Sequence, residues 1–134
     1  MNIHLIWIGA QAPDHAIIDK MAGNIRYLHA MFGGAPGTTF SIWTTAEQVS
    51  TIRASLRDQN LPGITWRVSD VAGEFANPGG RYTNLNSNDR DTLYEYFLDR
   101  LQGTSSERAE AADIAKSFVL SNHGGLAIEA GLDT

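Results

Sequence analysis

Runs dense in β-forming residues alternate with stretches of helical period through the first half of the chain, and this alternation constrains the fold most. Residues 3–8, with Ile3, Leu5, Ile6, Trp7 and Ile8, read as a buried strand that stops at Gly9. After a loop through Pro13, with Asp14 as candidate cap, Ile17, Ile18, Met21, Ile25 and Leu28 recur at helical spacing. They predict a helix over residues 15–31. Residues 33–37 are glycine-rich punctuation. A second strand is predicted at 39–44 and a helix at 46–59, with Val49, Ile52 and Leu56 on one side and Thr45 and Gln48 spaced as a capping box. Asn60, Leu61, Pro62 and Gly63 stop that helix, and the alternation of residues 64–69 predicts a third strand. Strand, helix, strand, helix, strand is the order of a parallel sheet with right-handed crossovers, its helices covering both faces.

The second half is less regular. Residues 70–88 carry no regular period, with a turn at Asn77-Pro78-Gly79-Gly80 and a polar loop from Tyr82 to Asn88. A helix is predicted over 89–101 from Leu93, Phe97 and Leu101. Thr104 and Glu107 have the spacing of a capping box for the last helix. That helix carries an apolar stripe of Ala111, Ile114, Ala115, Phe118 and Val119, while Asp113, Lys116 and Ser117 fall together on its other side. Gly124 suits a left-handed stop, and Leu126, Ile128 and Ala130 then enter the sheet, with Glu129 at the strand end.

Composition narrows the function classes. The 134 residues fit one domain spanning 1–134, and 43% hydrophobic content supports a core. The formal charge of −5 and the lack of a basic run interleaved with aromatics disfavour nucleic-acid binding. No apolar run is long enough to span a membrane, and the opening residues lack the basic start of a signal peptide; the compartment stays open. With no cysteine there is no thiolate ligand or cysteine nucleophile. His4, His15, His29 and His123 have no compact ligand spacing, so a zinc centre is not expected. The glycine clusters match neither a phosphate-binding loop nor a dinucleotide fingerprint, and no nucleophile elbow is present.

A parallel sheet of this kind offers a crevice at the carboxyl ends of its strands. Trp7 and Gly9, Trp43 and Thr44, and Glu129 with Asp133 are the candidates there, and Asp113 and Lys116 are candidates on the helix before the last strand. Two carboxylates at a strand end can hold a divalent cation, which places Glu129 and Asp133 as candidate ligands. Trp7 can offer an aromatic platform. His123, beside the glycines, suits a helix-end interaction better than acid–base work.

His4-Leu5-Ile6-Trp7-Ile8-Gly9 matches an opening strand of the form His-x-x-Trp-Ile-Gly, and Ile42-Trp43-Thr44 resembles the second strand of the same pattern. Asp113 and Lys116 stand where an Asp-x-x-Arg helix precedes Gly-Gly-x-Tyr-x-Asp-x-Asp. Gly124 and Gly125 match, Ala127 replaces the tyrosine, Glu129 and Gly131 replace the two aspartates, and Asp133 falls two residues late. In these motifs the chain resembles the donor-binding half of an A-type (GT-A) glycosyltransferase. The resembled family is the DXD-containing one of the large clostridial glucosylating toxins and the yeast-type initiating mannosyltransferases. The resemblance implies a small Rossmann-like α/β fold and a nucleotide sugar as ligand, with a protein or glycan acceptor. Trp7 would lie against a uracil or guanine base, Asp113 near the ribose or sugar, and Lys116 near the sugar or diphosphate. Glu129, with Asp133 as substitute acid, would hold Mn²⁺ or Mg²⁺. The resemblance names no catalytic base. The lost tyrosine and second acid motivate an alternative: a non-catalytic ligand-binding or protein-interaction domain built on a truncated form of that fold.

Overall fold

A computed structural model describes residues 1–9, 11–34, 37–76 and 86–129. The chain runs β1 (Asn2–Ile6), α1 (His15–Phe32), β2 (Thr39–Thr44), α2 (Ala46–Asp58), β3 (Trp66–Asp70), α3 (Ala72–Ala76), α4 (Ser87–Leu101), α5 (Ser105–His123) and β4 (Leu126–Glu129). The strands form one sheet in the order β3-β2-β1-β4, and each neighbouring pair is parallel. Ile3 pairs with Phe40 on one side and with Leu126 on the other, and Ile6 pairs with Trp43 and Glu129. This is the α/β arrangement, a parallel sheet flanked by helices, that the alternation predicts. It is a generic Rossmann-like architecture.

β1 is central and buried on both faces, so its sequence is nearly continuously apolar. Ile3, Leu5 and Trp7 pack toward α1 and α2, joined by Phe40, Ile42 and Val68 and by Ile18, Met21, Ile25, Ile52 and Leu56. Ile6, Ile8 and Trp43 pack the opposite way, against Phe75 of α3, Phe97 of α4 and Ala111, Ala115, Phe118 and Val119 of α5. The predicted stripe of the last helix is thus the face it buries.

The helix starts show which local signals the fold uses. Asp14 caps α1, its Oδ1 accepting from the Ile17 N–H at 2.9 Å. Thr104 and Glu107 form the reciprocal capping box at α5. Thr45 takes the N-cap position of α2, but its side chain makes no capping hydrogen bond, so the box expected with Gln48 does not form; Gln48 is buried instead. α4 begins at Ser87, two residues before the predicted Asp89, because Asn86 supplies the cap to the Asp89 N–H at 2.8 Å. The short α3 falls in a stretch where the sequence predicts no helix. The Asn77–Gly80 turn, the first part of the Tyr82–Asn88 loop, and the residues after Glu129, Gly131 and Asp133 among them, lie outside the described residues.

The passage from α5 into β4 depends on glycine. Gly124 and Gly125 have φ of 66° and 93°. A Cβ on Gly125 would sit 1.9 Å from the carbonyl oxygen of Asn2, where β4 docks beside β1. Substitution there combines a left-handed backbone with a collision against main chain. Gly125→Ala is expected to lower unfolding free energy by about 2–4 kcal/mol. Gly124→Ala, which meets nothing within 4 Å, should cost about 1–2 kcal/mol from φ alone. Urea denaturation of the two variants checks the ranking.

Candidate functional site

All four strands point their carboxyl ends to one edge of the sheet. There a cavity of about 440 Å³ opens, within the size range of small-molecule pockets. Its floor is Gly9 after β1, Thr45 after β2 and Asp70 at the end of β3. Ala46 and Glu47 of the first turn of α2 and Val71 and Ala72 continue that floor. Tyr94, Phe97, Leu98 and Leu101 of α4 form an apolar wall, and Gln102 and Arg108 close the far rim.

The wall is held by the α4–α5 turn. Arg100 bonds Glu107 at 2.8 Å, pairs with Glu110 at 3.2 Å and lies 4.6 Å over the Tyr96 ring. The Thr104 backbone N–H and the Arg100 guanidinium hold the Glu107 carboxyl below the usual carboxylate range. Arg108 donates to the Gly103 carbonyl at 2.8 Å. Phe75 packs 5.1 Å from Tyr94 and 5.0 Å from Phe97, so α3 braces the wall from behind.

The residues expected at the site are distributed differently. Trp7 is 2% exposed and belongs to the core under α1 and α2. The edge of its ring lies where a Gly9 Cβ would be, 2.3 Å from Cη2. It therefore underlies the cavity floor without lining the cavity. The Trp7 Nε1 and the Thr44 Oγ1 are buried with no hydrogen-bond partner among the described residues. Asp113 and Lys116 pair with one another at 3.8 Å on the outer side of α5 and do not line the cavity. Glu129 closes β4 beside Ile6, half-buried. Asp133 lies outside the described residues.

The expected Mn²⁺ or Mg²⁺ requires correction. Among the described residues, no group of three or more His, Cys, Asp or Glu side chains could hold a metal ion. Hard dications need several oxygen ligands. Glu129 has Ile6 as its register partner and Ala127 and Ile128 before it on β4, none of which supplies a side-chain oxygen.

A polar cluster that sequence periodicity did not reveal lies between the sheet and α3 and α5. His4 is 1% exposed. Its Nδ1 accepts from Trp43 Nε1–H at 3.0 Å, and its Nε2 stands 2.9 Å from the Gly124 carbonyl. An indole can only donate and a carbonyl can only accept, so the ring is the neutral tautomer with its hydrogen on Nε2. His123 stacks on Trp43 at 5.6 Å and 28°, and its Nε2–H reaches Glu74 at 3.1 Å. Asn122 donates to the same Glu74 carboxylate. His123 stands in the last turn of α5, but its ring bonds the Glu74 side chain of α3 and not the end of its own helix.

Comparison with protein-family models, with curated proteins and with solved structures found no match. No helix among the described residues is long and apolar enough to cross a membrane.

Burial holds the His4 pKa below its ordinary value, and the charges of His123 and Arg67 lower it further. The Gly124 bond and Glu74 oppose them. Folded His4 therefore binds fewer protons than unfolded His4 once pH falls below about 6.5. Stability is full above that pH and is expected to fall toward the lowered folded value, with a slope from this group of up to about 1.4 kcal/mol per pH unit. Urea unfolding between pH 7.5 and 5 checks the slope. NMR titration of the His4 ring should give a midpoint below the free-histidine value; a midpoint at or above it would refute this account.

Proposed function

We propose that the chain is a non-catalytic ligand-binding domain of Rossmann-like architecture, holding a small molecule at the carboxyl edge of its sheet. The cavity over Gly9, Thr45 and Asp70 carries this reading. It lies where parallel α/β sheets bind ligands, and it joins an apolar wall to a few polar groups. The absence of a metal-holding group among the described residues supports binding over metal-assisted transfer.

A second reading is glycosyl transfer from a nucleotide sugar. It rests on the resemblance carried by residues 4–9 and 111–131; Trp7, which that reading sets against a nucleotide base, is 2% exposed beneath Gly9. In that reading Asp113 lies near the ribose or sugar and Lys116 contacts the sugar or diphosphate.

Titration of the intact chain with uridine- and guanosine-diphosphate sugars, each followed for turnover, separates the two. The binding-domain reading expects no release of nucleoside diphosphate over hours. Sustained release would overturn it. Lys116→Ala removes one half-exposed ion pair and should change stability by less than about 0.5 kcal/mol. A tenfold or greater loss of nucleotide-sugar affinity in that variant would favour the second reading.

A further inference from the structure

We infer that the carboxyl-edge cavity takes an amphipathic molecule with a planar apolar body and a protonated amine head. The inference rests on the ligand-binding reading above and specifies its ligand class.

The apolar half follows from α4. Tyr94, Phe97, Leu98 and Leu101 recur at helical spacing along the wall, and the Tyr94 and Phe97 rings are near-parallel, at 17° and 6.3 Å. Leu98 is 36% exposed. Phe97 is 1% exposed and backs the wall, so an apolar ligand body would lie on Leu98 and on the half-buried Tyr94 ring.

The head group follows from charge. Asp70 Oδ1 is committed to the Ala72 N–H at 3.0 Å, while its Oδ2 has no hydrogen bond among the described residues. Glu47, in the exposed first turn of α2, brings a second carboxylate to the same cavity. Arg108, the cation on the rim, is engaged by the α4–α5 turn through the Gly103 carbonyl. The other polar side chains of the lining, Thr45, Tyr94 and Gln102, are uncharged, and the two carboxylates outnumber the one rim cation. An ammonium head satisfies them with charge-assisted hydrogen bonds. A diphosphate would bring further negative charge to a cavity lined by two carboxylates. The same acids thus select against an anionic head in this cavity.

Three probes on one scaffold test the proposal: 2-phenylethylamine, 2-phenylethanol and 3-phenylpropionate are cationic, neutral and anionic at pH 7. Each is titrated into the intact ¹⁵N-labelled chain, and backbone amide shifts are followed. The expected result is saturable shifts at Gly9, Ala46, Val71, Ala72 and Leu98. The amine should bind at least tenfold tighter than the alcohol, and the propionate weakest. Asp70→Asn keeps the Oδ1 acceptor for Ala72 and should shrink the amine–alcohol gap to threefold or less. Glu47→Gln, on an exposed helix turn, should shrink it in part and serves if Asp70→Asn fails to fold. Equal binding of amine and alcohol at these amides would overturn the charge preference and leave the ligand-binding reading standing. So would tightest binding by the propionate. No shift with any probe would overturn both.

Discussion

Double-sided burial of β1 is the constraint on which the rest of the structure depends. The strand pairs with β2 and β4 on its two edges and is covered on both faces. Every backbone group along it must find its partner in a neighbouring strand, and nearly every side chain must be apolar or fully bonded. His4 is the polar exception, and it is tolerated because Trp43 and the Gly124 carbonyl satisfy both ring nitrogens. The same centrality fixes the site: helices α1 and α2 lie on one face and α3 to α5 on the other, leaving the carboxyl edge as the place where loops and helix starts converge.

The strand–helix alternation made the sheet and its parallel sense legible, because period and turn residues are local signals. The Asp14 cap, the Thr104–Glu107 box and the Gly124-Gly125 passage were legible for the same reason. The short α3 was missed since five residues give too little period to register. The cavity was harder to see. Leu93, Phe97 and Leu101 identify one side of α4, but only the packing of the α4–α5 turn decides that Tyr94 and Leu98 face the strand ends. The His4–Trp43 pair was also invisible, because two strands in register, not residue spacing, bring those rings together.

The candidate residues divide along the same line. Position along the sheet edge was readable in part: Gly9 and Thr45, just past the ends of β1 and β2, do line the cavity, whereas the end of β3 carried no sequence signal. Side-chain exposure was not. Trp7 lies on the sheet face covered by α1 and α2, which buries it, and Asp113 lies beside a lysine one helical turn on, which engages it. The acids that line the cavity, Glu47 and Asp70, carry no motif. One is a helix first-turn residue and the other a strand-end turn former, each with an ordinary local reason to be there.

The bonds that tie Asn2 to His123 and His4 to Gly124 bridge 121 and 120 residues of sequence. The second edge of the central strand is therefore closed by a segment from the far end of the fold, after both layers of helices have been laid down. Closing so long a loop is entropically late and topologically slow. Until then β1 presents an unpaired, apolar edge, open to any other extended segment in reach. The arrangement that gives the finished sheet its ordered centre thus also sets the moment of greatest vulnerability during its assembly.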